Sequence, residues 1–362
     1  MHTVETFLYH LITTSLGSQQ EQFQYTDSLN WEFAFSLSLQ QGVSAICFDA
    51  LQKLLQEAKL RTEEHKVKHR WIATVLRQEQ SYNRQWASAK ALAALFAQYG
   101  IDIYVMKGFA LSRLYPKPEH RPCTDMDCFL VNRIDGREAF VLGNDIAQRH
   151  GLHVDLHYYK HSKILMHGLT VENHQYLLPV KGSNKAKRFE RELRQWIAND
   201  HNGYILDSKL KAPTPFFDAV YVLAHAQEHF LNEGIILRHI CDWAMVLRAY
   251  KDTIDWQEWK RVCVEYGMLS FGYAMSRLAK RVCGVAIPFD CPSNDEADRH
   301  LLDDTLYRKP CETQGKSDMQ VRVDLVKRML DSRWKYKQFS DTNSLAFCFR
   351  RVCGYLFDKD LD

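Results

Sequence analysis

The sequence contains no long uninterrupted apolar run and no N-terminal secretory signal. Its best candidate for a membrane helix, residues 91–106, is broken by Gln98, Gly100 and Asp102, whereas a bilayer span needs about 18 consecutive apolar residues. The first residues, Met-His-Thr-Val-Glu, lack the basic segment, apolar core and small-residue cleavage site of a signal peptide. We therefore expect a cytoplasmic protein with no membrane-spanning segment.

The ten cysteines form no recognisable metal or disulfide framework. The closest pairs are Cys123 with Cys128 and Cys348 with Cys353, and neither has the Cys-x-x-Cys spacing of a structural zinc site. Cysteines scattered over a long chain without a secretory signal are typical of reduced thiols. The sequence also lacks a Gly-x-Ser-x-Gly nucleophile elbow, which argues against a Ser-His-Asp hydrolase.

The chain also has little net charge. Its 47 basic and 44 acidic residues give a formal charge of +3, so a long nucleic acid is a disfavoured partner. Apolar residues make up 46% and charged residues 25%, as in an average soluble globular protein, which excludes a disordered or fibrous chain. These averages do not indicate a function, which must be sought in local motifs.

Hydrophobic periodicity divides the chain into three parts. Apolar residues recur at helical spacing in residues 1–88 and again in residues 183–362, whereas residues 89–182 contain the β-rich part. The predicted fold class is therefore α+β, with a small mixed β-sheet between N-terminal and C-terminal helical regions. Strands are predicted at 101–105, 125–131, 153–159 and 175–180.

Three acidic residues stand out in the β-rich part. Residues two apart on a strand point to the same face, so Asp125 and Asp127 are expected side by side, as hard oxygen ligands suited to Mg²⁺. Asp155 lies in the middle of a predicted strand, on one face with His153 and His157, where propensity disfavours an acid. A solvated strand end and a wet edge strand are the alternative interpretations.

A Lys-Gly pair lies between the first strand and a short helix. Gly108 allows the backbone to approach a phosphate closely, and Lys107 adds a positive charge. A simple strand-to-helix turn remains the alternative interpretation of these two residues.

Taken together, the order of these elements resembles the polymerase-β-like nucleotidyltransferases. More closely, residues 105–111 (VMKGFAL), 114–116 (LYP) and 121–127 (RPCTDMD) resemble the family called uncharacterised nucleotidyltransferase, whose pattern runs Leu-Lys-Gly, a short helix, Tyr and Arg-Pro-x-x-Asp-x-Asp. The flanking segments with weaker resemblance are 41–43, 155–157 and 238–243. Two departures are the Lys-Gly turn in place of Gly-Ser, and Gly136 and Gly143, which argue against the helix expected after the Asp pair.

The resemblance implies transfer of a nucleoside monophosphate from an NTP to a hydroxyl of a small molecule, sugar or protein, with release of pyrophosphate. It implies two Mg²⁺ ions as cofactors, bound by the catalytic residues Asp125, Asp127 and Asp155, with residues 89–182 as the catalytic core. The residues expected to bind substrate are Lys107, Gly108, Arg121, His157, Arg238 and Asp242.

Two alternatives stay open. One is a catalytically silent nucleotide-binding or partner-binding protein that keeps the fold, and the other, which the small net charge disfavours, is a polynucleotide-adding enzyme. His225 and His229 lie four apart on an apolar helix and therefore face one side. They can be core residues or contacts to the acceptor; a metal role is disfavoured because the pattern is not His-Glu-x-x-His.

Overall fold

A mixed seven-stranded sheet carries helices on both of its faces in the computed structural model of the chain. The residues that the structure describes are 4–17, 29–57, 62–134, 138–179, 184–199, 203–207, 209–308, 317, 320, 323–324, 327 and 330–341. Cys348 and Cys353 lie outside this range. None of the described helices combines the length and the apolar character that crossing a bilayer requires.

Four helices precede the sheet, as the helical periodicity predicts. The first three are α1 (Val4–Ser15), α2 (Trp31–Gln40) and α3 (Ser44–Glu57). Asn30 begins α2, because its side chain accepts a hydrogen bond from the Phe33 amide. The fourth helix, α4 (Thr62–Ala97), continues past position 88 and packs against the sheet.

The central part contains five strands and two short helical elements besides one longer helix. In chain order the elements are β1 (Ile101–Val105), α5 (Phe109–Ser112), the 3₁₀ turn Pro118–His120, β2 (Met126–Asn132), α6 (Ala139–Arg149), β3 (His153–Asp155), β4 (His161–Met166) and β5 (Leu169–His174). The strand predicted at 153–159 thus ends early, and the one predicted at 175–180 is wrong, because the chain pairs at 161–166 and 169–174 instead.

The glycines do not prevent a helix after β2. Gly143 lies within α6, where a Cβ atom would come 2.2 Å from Leu130 Cδ1. Any larger residue at this position would require the Leu130 side chain to move, because α6 packs closely against β2. The absence of a helix, predicted from Gly136 and Gly143, is wrong; Gly136 itself lies outside the described residues.

Helices dominate the remainder, but the sheet gains two strands from it. The elements are α7 (Asn184–Ala198), β6 (Tyr204–Asp207), β7 (Leu210–Ala212), α8 (Pro215–Asn232), α9 (Leu237–Tyr250), α10 (Trp256–Glu265), α11 (Leu269–Cys283), α12 (Asp295–Tyr307) and α13 (Arg333–Phe339). The strand order is β3-β4-β5-β2-β1-β7-β6. The three-part division of the chain stays a prediction; α4 crosses its first boundary, and β6 and β7 lie beyond its second.

The two faces of the sheet belong to two apolar clusters. Alternate residues of β1 and β2, such as Ile103 and Cys128, pack with α4 and α6 in one cluster, whereas Tyr104 and Phe129 join the larger cluster with the C-terminal helices. Antiparallel pairing of β1 with β2 and parallel pairing of β2 with β5 make the sheet mixed. The α+β prediction, with a mixed sheet flanked by helices, is therefore confirmed.

Candidate active site

The predicted Asp pair lies at the start of β2 and opens into a cavity of about 280 Å³ between the sheet and helices α8 and α9. Asp127 alternates with Met126 and Cys128, which are buried in the other cluster, so its side chain projects towards the C-terminal helices. Asp125 precedes the strand and lines the same cavity. Strand alternation therefore places both carboxylates on one face.

Opposite electrostatics distinguish the two carboxylates. Asp127 is only 2% exposed and lies 3.1 Å from Lys107 Nζ and 3.0 Å from His174 Nε2. Burial would raise the pKa of Asp127, but Lys107 and His174 outweigh it and hold that pKa far below its usual value. Burial raises the pKa of Asp125, and the charge of Asp127 adds to the effect. Asp125 therefore carries negative charge that the protein only partly compensates.

The acidic residue next to Asp127 in the sheet is Glu172, not Asp155. The backbone register pairs Asp127 with Glu172, Glu172 with Lys163, and Lys163 with Asp155 across β2, β5, β4 and β3. Strands are about 4.8 Å apart, so Asp155 lies on the expected face but about 14 Å from Asp127. The predicted clustering of Asp155 with the Asp pair is corrected, because β4 and β5 lie between them.

His157 lies with Asp155, outside the cavity. Its side chain is 97% exposed, and its Nδ1 is 2.5 Å from Asp155 Oδ1. The Asp155 carboxylate also accepts the His157 backbone N–H, which lowers the pKa of Asp155. Asp155 and His157 are thus hydrogen-bonded to each other at the edge of the sheet. The structure does not bring His157 near the other residues predicted to bind substrate.

Lys107 connects the acidic wall to helix α8. Besides Asp127, its Nζ is 2.7 Å from His225 Nε2, and His225 Nε2 is 3.0 Å from His229 Nε2. Burial lowers the pKa of His225 strongly, and the Lys107 charge adds to it, so His225 is neutral and can accept a hydrogen bond from Lys107. Both histidines line the cavity.

Gly108 brings the chain back over the start of β2. Its φ of +59° lies in the region that favours glycine, and a Cβ atom would be 3.4 Å from the Asp125 carbonyl oxygen. The turn between β1 and α5 therefore lies beside Asp125 on the cavity lining.

Two guanidinium groups, those of Arg121 and Arg238, also line the cavity. Arg121 Nε and Nη2 donate to the two oxygens of Asp242 at 3.0 and 2.8 Å, and Tyr115 Oη donates to the same carboxylate at 2.7 Å. Asp242 is 4% exposed. Its direct partner is therefore Arg121, and through this bidentate pair it orients a cation at the cavity.

Arg238 is the less compensated of the two cations. Its Nη1 donates to the Pro122 carbonyl at 3.4 Å, but its buried Nε has no hydrogen-bond partner within the described part of the chain. Burial lowers the pKa of Arg238, and the nearby Arg121 charge lowers it further. An anion in the cavity would relieve both effects, so this lining is suited to a phosphate group.

The weakly matching segment 41–43 positions Arg238. At the start of α9, the Leu237 amide donates to Gln41 Oε1 at 2.9 Å and the Arg238 amide to the Gln41 carbonyl at 3.2 Å. Gly42 has a φ of +63°, and a Cβ there would be 3.1 Å from Ile236 Cδ1. This segment thus satisfies two amides at the start of a helix that would otherwise lack partners.

Sequence reasoning missed the polar residues of β4 and β5 that lie beside Asp127. In the segment Leu-Thr-Val-Glu-Asn-His at 169–174, Leu169 and Val171 alternate with Thr170 and Glu172. That period of two predicts a half-buried strand with a polar face, so the signal for Glu172 was present.

Comparison with known proteins gives one family. The model of a family described as uncharacterised nucleotidyltransferase matches residues 27–284 of the chain. This range includes all five central strands and the residues that line the cavity. No curated protein and no solved structure matches.

Proposed function

The chain belongs to the uncharacterised nucleotidyltransferase family, and from that premise we propose that it transfers a nucleoside monophosphate from an NTP to a hydroxyl acceptor. The acceptor classes that we propose are a small molecule, a sugar or a protein side chain. In the reaction, the hydroxyl oxygen forms a bond to the α-phosphorus. The bond from that phosphorus to the β-phosphate breaks, and pyrophosphate leaves with its electron pair, while the hydroxyl proton passes to a carboxylate of the acidic wall.

One observation carries this proposal: the same cavity is lined both by carboxylates, which form its acidic wall, and by guanidinium groups. Asp125 and Asp127 line it together with Arg121 and Arg238. A metal-bound triphosphate needs both kinds of group, because carboxylates hold the cation and guanidinium groups bind phosphate oxygens.

The acidic wall fits a hard divalent cation. Asp125, Asp127 and Glu172 offer carboxylate oxygens, and the raised pKa of Asp125, caused by burial and then by Asp127, reports a repulsion that a cation would remove. We propose that these residues hold two Mg²⁺ ions. When bound, the ions would neutralise charge on the attacking and leaving oxygens.

The other residues have binding and positioning roles in this proposal. Arg121 and Arg238 bind the phosphates and keep them in line with the acceptor, and Asp242 holds Arg121 in place through its bidentate contact. Gly108 lets the main chain approach the nucleotide next to Asp125. Lys107, which contacts Asp127, becomes a phosphate ligand once a cation neutralises that carboxylate.

One contact favours a second candidate function. Lys107 Nζ already lies 3.1 Å from Asp127 Oδ1, so the protein compensates this carboxylate internally. A chain in which Lys107 permanently replaces a cation would bind a nucleotide without transferring it. The second candidate is therefore a catalytically silent nucleotide-binding protein.

Labelling with nucleotides separates the two candidates. The protein is incubated with Mg²⁺, each α-labelled NTP in turn and an extract of the source cells, beside the Asp125→Asn variant and the matched control Asp155→Asn. Transfer predicts label in the protein or in an acceptor for wild type and Asp155→Asn, but not for Asp125→Asn. Nucleotide binding with no labelled product would support the silent candidate, and absence of nucleotide binding would refute both.

A further inference from the structure

Three metal-ligating side chains converge on neighbouring strands beside the Asp pair. His161 on β4 pairs in register with His174 on β5, and Glu172 precedes His174 by two residues on the same face. The candidate ligand atoms of these three residues all lie within 4.8 Å of one another. Glu172 is 3.4 Å from His161 Nε2 through Oε1 and 3.7 Å from His174 Nε2 through Oε2.

The hydrogen bonds of His174 leave one nitrogen for a cation. Its Nδ1 lies 3.0 Å from the Tyr176 carbonyl oxygen, which can only accept, so Nδ1 carries the hydrogen. Metal-binding histidines are oriented by the same kind of contact. In neutral His174, the Nε2 lone pair then faces Asp127 Oδ1 at 3.0 Å and Glu172 Oε2 at 3.7 Å. Lys107 Nζ, 3.1 Å from the same Asp127 oxygen, supplies part of the positive charge that this lone pair and the two carboxylate oxygens require, and a bound cation would supply the rest.

A proton on His174 would supply that charge but would not account for His161. The His161 side chain is buried, at 8% exposed for the whole residue, and neither ring nitrogen has a hydrogen-bond partner among the described residues. Buried polar groups are normally satisfied. The unsatisfied nitrogen closest to Glu172 is the second, independent indication of a bound ion.

We propose that His161, Glu172 and His174 form a binding site for a divalent transition ion, with Zn²⁺ as its probe, and that Asp127 completes the site as a fourth ligand. Zinc bonds of 2.0–2.1 Å in tetrahedral geometry place ligand atoms about 3.4 Å apart, close to the distances on both sides of Glu172. Imidazole ligands favour zinc and its neighbours over Mg²⁺. The site therefore goes beyond the proposed transfer chemistry, and Asp127 and Glu172, which the proposed function assigns to Mg²⁺, belong to both sites.

Metal binding without nucleotide tests the proposal. The protein is stripped with EDTA, dialysed, and titrated with Zn²⁺ in the absence of Mg²⁺, with bound metal measured by elemental analysis and affinity by calorimetry. We expect wild type to bind one equivalent of Zn²⁺ tightly. The Zn²⁺ affinity of His161→Gln and His174→Gln should be weaker by about 10-fold to 100-fold or more, since even the loss of a residue that only orients a metal ligand costs that much. The matched control is His153→Gln, an exposed histidine on β3, which should bind like wild type.

Two results would overturn the site. One is wild-type protein that takes up no stoichiometric Zn²⁺ under these conditions, a result that needs no variant to fold. The other is folded His161→Gln and His174→Gln proteins that bind Zn²⁺ as tightly as the His153→Gln control. Because no NTP is present, loss of the site and failure of nucleotidyl transfer are separate outcomes. Tetrahedral cobalt absorption after Co²⁺ substitution gives an independent positive readout.

Discussion

Asp125→Asn and Asp127→Asn should both abolish transfer, but only Asp127→Asn should lower the free energy of unfolding. Each substitution removes one carboxylate charge from the same cavity and keeps the shape of the side chain. Asp127 is 2% exposed and contacts Lys107 and His174 at 3.1 and 3.0 Å. Asp125 has burial and like charge acting against its ionised form. Comparing the two variants therefore distinguishes the stabilising charge of Asp127 from the repelled charge of Asp125.

Asp127→Asn should lower the free energy of unfolding because it breaks a buried ion pair. Removing one partner of such a pair costs about 3–5 kcal/mol, because the other charge stays buried. We expect the lower end, about 3 kcal/mol, since the amide oxygen of Asn can still accept from His174, and Lys107 is 22% exposed and keeps its contact with His225.

For Asp125→Asn, the repulsion between the Asp125 and Asp127 charges sets the size of the expected change in the free energy of unfolding. Residues two apart on a strand are separated by about 6.8 Å, and two unit charges at that distance repel by about 2.4 kcal/mol at an effective dielectric constant of about 20. Lys107 cancels much of the Asp127 charge, so the net repulsion is about 1 kcal/mol or less. We expect the free energy of unfolding to stay unchanged or to rise by that amount.

Urea unfolding without added metal, followed by tryptophan fluorescence near neutral pH, measures the stability of each variant. Pyrophosphate release in the presence of Mg²⁺ and NTP measures activity, which should fall at least about 100-fold in both variants, corresponding to about 2.7 kcal/mol of transition-state stabilisation. Asp155→Asn should keep wild-type activity. A loss of stability in Asp125→Asn as large as that in Asp127→Asn would refute the charge assignment, and retained activity in both would refute the site.

Three further predictions concern the ionisable side chains of Glu172, Asp242 and His120. Glu172→Gln should reduce pyrophosphate release at least about 10-fold, because Glu172 is the acid next to the Asp pair; an equal loss in Asp155→Asn would contradict that assignment. Asp242→Asn should lower the free energy of unfolding in urea by about 3–5 kcal/mol, since it leaves Arg121 buried without its partner; a change near zero would contradict the paired geometry. The ring nitrogens of His120 lie 2.8 Å from the carboxylates of Asp49 and Glu79. Burial lowers the pKa of His120, but hydrogen bonds to these two carboxylates outweigh it and raise that pKa above 6.5. The stability that His120 contributes is therefore complete below pH 6.5 and is lost as pH rises through the folded-state pKa. The difference in unfolding free energy between wild type and His120→Gln should therefore shrink from about pH 6 to about pH 9, and a constant difference would show that His120 does not titrate as described.

Local geometry at the Asp pair could be predicted from the sequence because it depends only on strand alternation. Once 125–131 is identified as a strand, Asp125 and Asp127 must share a face; the observed β2, Met126–Asn132, begins one residue after Asp125, and both carboxylates line the same cavity. The turn at Lys107–Gly108 is similarly local, since it directly follows β1. The resemblance to the nucleotidyltransferase family, based on these same segments, is confirmed by the family match.

The third acid could not be identified from local pattern, because it depends on which strand lies next to β2. Asp155 has the expected alternation and the expected face, but β5 pairs with β2 and β4 separates β5 from β3. Glu172 shows the same alternation, so periodicity alone gives two equivalent candidates. Pairing order is a property of the whole sheet, and the sequence holds no short-range signal for it.

Local pattern likewise could not predict which side chains from other elements contact the polar residues of α8 and α9. Arg238 and Asp242 lie four apart and therefore share a face of α9, yet Asp242 is 4% exposed and binds Arg121 from a distant turn. His225 likewise receives a hydrogen bond from Lys107, a residue of the sheet. Helical spacing predicts which residues share a face, but the partner across the interface is set by tertiary packing.

Lys107 cannot at once neutralise Asp127 and bind a phosphate. Its Nζ is held between Asp127 Oδ1 at 3.1 Å and His225 Nε2 at 2.7 Å, so its charge is already used. A cation at Asp127 would compete directly with that ion pair and release Lys107 towards the cavity. The negative triphosphate would then replace Asp127 as the partner of Lys107. Under the proposed function we therefore expect metal and nucleotide to favour each other's binding through Lys107, and by linkage the effect would be reciprocal.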